Sequence, residues 1–203
     1  VKTLDGGFVK KCLVTVEYKD ANVKKPGKIS NVKASGISNK SLKVSWKKDK
    51  SADYYKVYLY NKKDKKWKEV KRTYDTSIKL SGLKEGSAFT YRVAGVNAGG
   101  TGKKSASLTA VTKPGTVKLK SVKKSTRGRA VLSYTKVKNA SYVIRMKTGK
   151  GSYRNIGETS KTKFYTSKLK KGKTYTFKVR TYIKHGKDKI WGNYSNTVKY
   201  QAK

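Results

Sequence analysis

Short runs in which apolar and polar residues alternate recur along the chain at about ten-residue spacing, between turns rich in Gly, Ser, Asn and Lys. The clearest are SLKVSW (41–46), YYKVYLY (54–60), FTYRVAGV (89–96), YVIRM (142–146) and YTFKVRTY (175–182). They are rich in Val, Tyr and Thr, which suit a pleated, half-buried surface. A period of two sends neighbouring side chains to opposite faces. In 54–60, Tyr55, Val57 and Leu59 are therefore expected to point inward, leaving Tyr54, Lys56, Tyr58 and Tyr60 outside. No stretch keeps a helical period over three turns. The pattern predicts an all-β chain.

The pattern also repeats. LKEGSAFTYRV begins at Leu83 and LKKGKTYTFKV at Leu169, 86 residues later. The register extends in both directions, setting Trp46 opposite Tyr134, Tyr55 opposite Tyr142 and Val57 opposite Ile144. Trp67 then falls opposite Tyr153, Val70 opposite Ile156 and Val93 opposite Val179. The only prolines, Pro26 and Pro114, stand where one strand ends and another begins, positions that tolerate a missing N–H. They divide the 203 residues into a leading segment 1–25 and two modules, 26–113 and 114–203, each of a size that folds alone. Hydrophobic residues make up 35%, so the cores should be small, but 15 Tyr and 3 Trp supply large side chains with polar tips to fill them.

These residues resemble the fibronectin type III module. The landmarks are a buried Trp on the second strand, Tyr-x-Val on the third, and Leu-x-x-Gly-x-x-Tyr before the sixth. In 26–113 they are met by Trp46, Tyr55, Val57, Leu83 and Gly86, with the glycine-rich loop VNAGGTGKKS at 96–105. Residues 114–203 keep Leu169, Gly172 and Tyr175 but carry Tyr134 in place of the Trp. The resemblance implies two immunoglobulin-like β-sandwiches in tandem. It also implies that Tyr175 ties its turn to the backbone through its hydroxyl. Phe89, at the equivalent place, lacks that hydroxyl. Residues 1–18 resemble the last hairpin of a bacterial immunoglobulin-like domain of group 2, with Asp5, Gly6 and Gly7 in the turn and Cys12 as a small buried hydrophobe. With Val1 in place of a starting Met, they lead us to expect a chain cut from a longer protein. Strings of such modules resemble the stalks of Gram-positive surface proteins and secreted polysaccharide-degrading enzymes, where they space, present or anchor other domains.

Charge adds a second feature. There are 52 Lys and Arg against 11 Asp and Glu, and all but 7 of the 52 are Lys. The imbalance grows along the chain: 21 basic against 6 acidic residues in 26–113, and 25 against 2 in 114–203. Such a surface attracts polyanions. Lysine is a hydrated point charge without the planar fork that reads phosphates and base edges, so no specific nucleic-acid reader is expected. The expected partners are an anionic cell-wall polymer or host glycan and the neighbouring domains of the same chain. The densest basic patch is KKSTRGR, with Lys123, Lys124, Arg127 and Arg129; SKLKKGK, with Lys168, Lys170 and Lys171, is the second. The bland alternative for both is a solvated face whose lysines discourage edge-to-edge aggregation.

Catalytic chemistry has few groups to use. His185 is the only histidine and Cys12 the only cysteine, and no carboxylate pair or clustered ligand set is apparent. No enzyme, cofactor or metal is expected, nor any membrane-spanning segment. The glycine stretches NAGGTGKKS (97–105) and TGKGS (148–152) fit hairpin loops better than a phosphate loop, though bare amides beside Lys103 and Lys104 offer weak anion binding. The best candidate site is aromatic. Tyr58 and Tyr60 outside the third strand, with Trp67 on its neighbour, would give a platform for stacking sugars. The competing reading is cross-strand pairing that stabilises the sheet. Because Val143 and Arg145 occupy the corresponding face of the second module, the platform is expected only on the first. The leading expectation is a non-catalytic extracellular stalk and adhesion segment; the alternative is a carbohydrate-binding accessory module of a secreted hydrolase.

Overall fold

The computed structural model describes residues 23–203. The turn expected at Asp5, Gly6 and Gly7, and Cys12, lie outside the described residues. Two β-sandwiches stand in tandem. The first contains β1 (Lys33–Ser35), β2 (Leu42–Ser45), β3 (Tyr54–Asn61), β4 (Lys66–Thr73), β5 (Ser77–Leu80), β6 (Ala88–Asn97), β7 (Gly100–Thr101) and β8 (Leu108–Val111). One sheet runs β1-β2-β5 and the other β4-β3-β6-β7, with β8 also paired to β6. The second repeats the plan with β9 (Leu119–Lys124), β10 (Ala130–Tyr134), β11 (Ser141–Thr148), β12 (Arg154–Thr159), β13 (Lys163–Tyr165), β14 (Thr174–His185), β15 (Asp188–Tyr194) and β16 (Val198–Gln201). Its sheets run β13-β10-β9 and β12-β11-β14-β15, with β16 also on β14.

The alternation in the sequence becomes two facing apolar layers. Leu42, Val44, Tyr55, Val57, Tyr91 and Val93 fill the first core, and Leu132, Tyr142, Ile144, Phe177 and Val179 the second. Each core is centred on an aromatic pair: Trp46 with Tyr55, centroids 5.3 Å apart, and Tyr134 with Tyr142 at 4.8 Å. The Tyr55 hydroxyl accepts the Asp49 N–H at 3.0 Å, and the Tyr142 hydroxyl accepts that of Val137 at 2.8 Å. The replacement of Trp46 by Tyr134 has a polar consequence. The Tyr134 hydroxyl donates to the Lys161 carbonyl at 2.9 Å, while the buried indole N–H of Trp46 meets no partner.

The turn before the sixth strand is held differently in the two modules. In the second, the Tyr175 hydroxyl accepts the Lys170 N–H at 3.0 Å, as the resemblance implied. In the first, Phe89 has no hydroxyl to offer, and Thr112 takes over. Its fully buried hydroxyl donates to the Lys84 carbonyl at 2.7 Å and accepts the Ser87 N–H at 3.0 Å.

A further pair of buried hydroxyls holds the last strand, which is broken in both sandwiches. At the break Ser105 accepts the Val93 N–H at 3.0 Å, and Ser195 accepts the Val179 N–H at 2.9 Å. Each serine thus satisfies a core amide where the ladder lapses. The connecting segment is bonded at both sides. Gly86 N–H donates to the Lys113 carbonyl at 2.9 Å, and the buried Thr181 hydroxyl donates to that of Gly115 at 3.0 Å.

Two substitutions test these roles. Tyr91 is fully buried and its hydroxyl meets no partner, whereas the second module has Phe177 at the equivalent place. Tyr91→Phe is expected to stabilise the first sandwich by about 1 kcal/mol by removing an unpaired buried polar group. Thr112→Val is expected to destabilise it by roughly 1–3 kcal/mol, because it strands the Ser87 amide and the Lys84 carbonyl. Urea denaturation of the chain, followed by tryptophan fluorescence, measures both.

Candidate functional site

On the first module the aromatic residues come together as the strand register requires. Tyr60 lies directly opposite Trp67, their centroids 5.2 Å apart at 52°. Tyr58 sits one step along the same face. The faces of these rings are partly covered, since the Arg92 guanidinium stands 4.5 Å from the Trp67 centroid and the Lys104 ammonium 4.7 Å from that of Tyr58. Glu69 lies among them, 3.6 Å from Lys56 and hydrogen-bonded to Arg72. Hydrogen bonding from Arg72 holds the Glu69 carboxyl below the usual carboxylate range, against a smaller opposing effect of burial. Tyr74, 85% exposed and packed against Tyr54 at 6.1 Å, ends the row. It escaped the sequence reading because it lies in a turn, where alternation gives no facing.

The two basic patches prove to be one. Lys123 and Lys124 end β9, and Arg127 and Arg129 belong to the 3₁₀ turn Thr126–Gly128 and the residue after it. Arg127 takes a left-handed conformation, φ 56°, and is exposed. That turn is stitched to the second patch, because the Leu169 N–H donates to the Gly128 carbonyl at 2.9 Å. Lys168 lies over Gly128, its Cγ 3.3 Å from where a β-carbon would be. Lys123, Lys124, Arg127, Arg129, Lys168, Lys170 and Lys171 are all exposed and form a basic pole before the start of β14. The acidic residue Asp188 lies in the hairpin at the other end of that strand.

The expectation that only the first module carries an aromatic face is corrected by the structure. Val143, expected on the outer face, is buried and Arg145 is half-buried, and the rings on the second module come from elsewhere. Tyr153 precedes β12, Trp191 and Tyr194 lie on β15, and Tyr182 lies on β14. Cations alternate with them. The Lys178 ammonium is 4.1 Å from the Tyr153 centroid and 4.0 Å from that of Tyr194. Arg180 stands 4.9 Å from both Tyr194 and Trp191, and Lys189 is 4.4 Å from Tyr182 and 5.6 Å from Trp191. Lys147 adds a second ammonium over Tyr153, at 5.3 Å. Backbone and hydroxyl acceptors fix the two arginines. Arg145 donates to the Tyr194 hydroxyl at 3.0 Å and to the Tyr153 carbonyl at 2.6 Å, and Arg180 donates to the Gly192 carbonyl at 2.8 Å. Burial raises the Tyr194 phenol, but the Arg145 hydrogen bond and the charges of Arg145 and Arg180 outweigh it and leave the phenol below its ordinary range.

One carboxylate closes the row. Glu158 accepts from Lys189 at 3.0 Å and from the Tyr182 hydroxyl at 3.0 Å, and these bonds, Lys189 first, hold its carboxyl below the usual range. The other candidates take simple places. His185 is exposed in the β14–β15 hairpin, in register with Asp188. In the 97–105 loop, β-carbons at Gly99 and Gly102 would fall 2.0 Å from the Val23 carbonyl and 2.2 Å from that of Pro26. Those glycines are needed for the close approach of residues 23–26. Among the described residues no cluster of three or more His, Cys, Asp or Glu has metal-binding geometry, and no helix is long and apolar enough to cross a membrane.

Comparison with known proteins agrees with this geometry. Residues 26–111 match the model of the fibronectin type III domain. The chain is similar to a two-domain fibronectin type III segment of chicken tenascin, at 20% identity and TM-score 0.56, covering 85% of this chain and 97% of that one. It also matches the FN1–FN3 domains of chicken CNTN1 at 16% identity and TM-score 0.42, covering 88% of this chain and 68% of that one. The class is thereby defined: two β-sandwiches of fibronectin type III fold in tandem.

The alternating row makes two stability predictions. Trp191→Leu removes the ring shared by Arg180 and Lys189 and is expected to cost the second sandwich about 1–2 kcal/mol. The Glu158 tie is present above the unfolded carboxylate range and is lost as pH falls through the depressed folded value. Glu158→Gln should therefore flatten the acid limb of stability, read as urea midpoints between about pH 7 and about pH 3.

Proposed function

We propose that this chain is a non-catalytic extracellular stalk and adhesion segment of a bacterial surface or secreted protein. Its modules 26–113 and 114–203 would space neighbouring domains while their basic surface holds anionic cell-wall or host glycans. Fibronectin type III domains are typically non-catalytic extracellular modules, and the sequence resemblance to modular stalks supports the bacterial setting. The observation that carries the reading is the basic pole, where two patches about 40 residues apart in sequence converge as seven exposed cations. The linker bonds of Lys113 and Gly115 support the spacing role, since they limit the freedom of the joint.

A second reading, a carbohydrate-binding accessory module of a hydrolase, has the Tyr60–Trp67 pair and neighbouring Tyr58 in its favour. Salt separates the two. Binding to isolated Gram-positive cell wall and to heparin should weaken steeply as NaCl rises, because counterions compete for the polyanion. Replacing Lys123, Lys124, Arg129, Lys170 and Lys171 by Gln should lower affinity at low salt on the order of tenfold or more. Retention on a neutral polysaccharide at high salt, lost with Trp67→Ala, would favour the second reading instead.

A further inference from the structure

The alternating face of the second module is short of one component. Lys147 and Lys178 both stand over Tyr153, and Lys178, Arg180 and Arg145 all surround Tyr194. Like charges gathered on shared rings repel one another, yet no carboxylate sits among them. Of the module's two acidic side chains, Glu158 is held by Lys189 at the far end of the row and Asp188 lies in the hairpin. The first module treats the same face differently, setting Glu69 between Lys56 and Arg72.

From this we infer that the face built by Arg145, Lys147, Tyr153, Lys178, Arg180 and Tyr194 is a second anion site, distinct from the basic pole, for the sulfate or carboxylate groups of a linear acidic polysaccharide. Strand spacing sets its pitch. Lys178 lies across from Arg145 on the adjacent strand, about 5 Å away, and Arg180 lies two residues along, about 7 Å away. The ring faces are already covered by cations, so they offer nucleobases no stacking platform. Both arginines have N–H groups fixed on Tyr153, Tyr194 and Gly192, which leaves the lysine ammonium groups as the mobile donors. Point charges of that kind hold sulfate or carboxylate without reading base edges. The Tyr194 hydroxyl, which accepts from Arg145, keeps its own proton to donate to a sugar oxygen.

Calorimetric titration of the whole chain with a heparin hexasaccharide tests the site. Lys147→Gln with Lys178→Gln should weaken binding by about tenfold, two charge contacts being lost. Lys147→Arg with Lys178→Arg should bind within about threefold of the parent, because the charge is kept. The pole variant of the preceding section should still bind the hexasaccharide through this face. The inference is overturned if the Gln pair binds like the parent, if the Arg pair loses as much as the Gln pair, or if an oligodeoxynucleotide binds more tightly through the same two lysines. If the pole variant alone abolishes binding, the adhesion reading survives and this site does not. If the parent chain binds no polyanion at all, both fall.

Discussion

The surface of this molecule is shaped by one constraint: its cations greatly outnumber the carboxylates that would neutralise them. Among the described residues only three ion pairs form, between Lys56 and Glu69, Arg72 and Glu69, and Lys189 and Glu158. Five of the unpaired cations, Arg92, Lys104, Lys147, Lys178 and Arg180, stand instead over tyrosine and tryptophan rings of the outer sheets. A ring face attracts a cation by its quadrupole without cancelling the charge. The outer sheet of each module therefore interleaves rings with lysine and arginine, and does so more fully in the second module, where acidic residues are scarcest. Stability and long-range attraction to anions then come from the same contacts.

The interior follows a different economy of polar groups. Tyrosine fills both cores, and most of its buried hydroxyls bind backbone amides or carbonyls: Tyr55 at Asp49, Tyr134 at Lys161, Tyr142 at Val137 and Tyr175 at Lys170. The two modules have exchanged solutions at several positions. Where one has an unpaired Trp46 indole and Tyr91 hydroxyl, the other has Tyr134 with a partner and Phe177 with none to satisfy. Thr112 does for the first what Tyr175 does for the second. The second module is thus the more fully satisfied core beneath the more heavily charged surface.

Much of this was legible in the sequence. Alternation in YYKVYLY placed Tyr55 and Val57 inside, and the 86-residue repeat set Trp67 and Tyr153 at matching positions. The facing of Tyr60 and Trp67 followed from the same register. The second module's row was missed because its parts are remote in sequence: Tyr153 is 38 residues from Trp191, and only strand pairing joins them. The matching strand, β11, carries no ring on its outer residues. The alternation of Lys178 and Arg180 with Val179, followed by WGNY at 191–194, was the signal available. Ser105 and Ser195 left no such trace, since a buried serine at a strand break looks like any loop serine. The merging of the two basic patches likewise depended on long-range bonds, from Leu169 to Gly128 and between Thr166 and Ala130.

The three tryptophans offer a direct test of where an anionic glycan lies, since one is in a core, one on the first module's face and one within the second module's row. Indole N–H resonances in a ¹H–¹⁵N spectrum of the chain, followed during titration with the heparin hexasaccharide, would report the three places separately. The account predicts that Trp191 shifts progressively while Trp67 and Trp46 stay in place. A shift of Trp67 with Trp191 unmoved would contradict it and return the site to the first module.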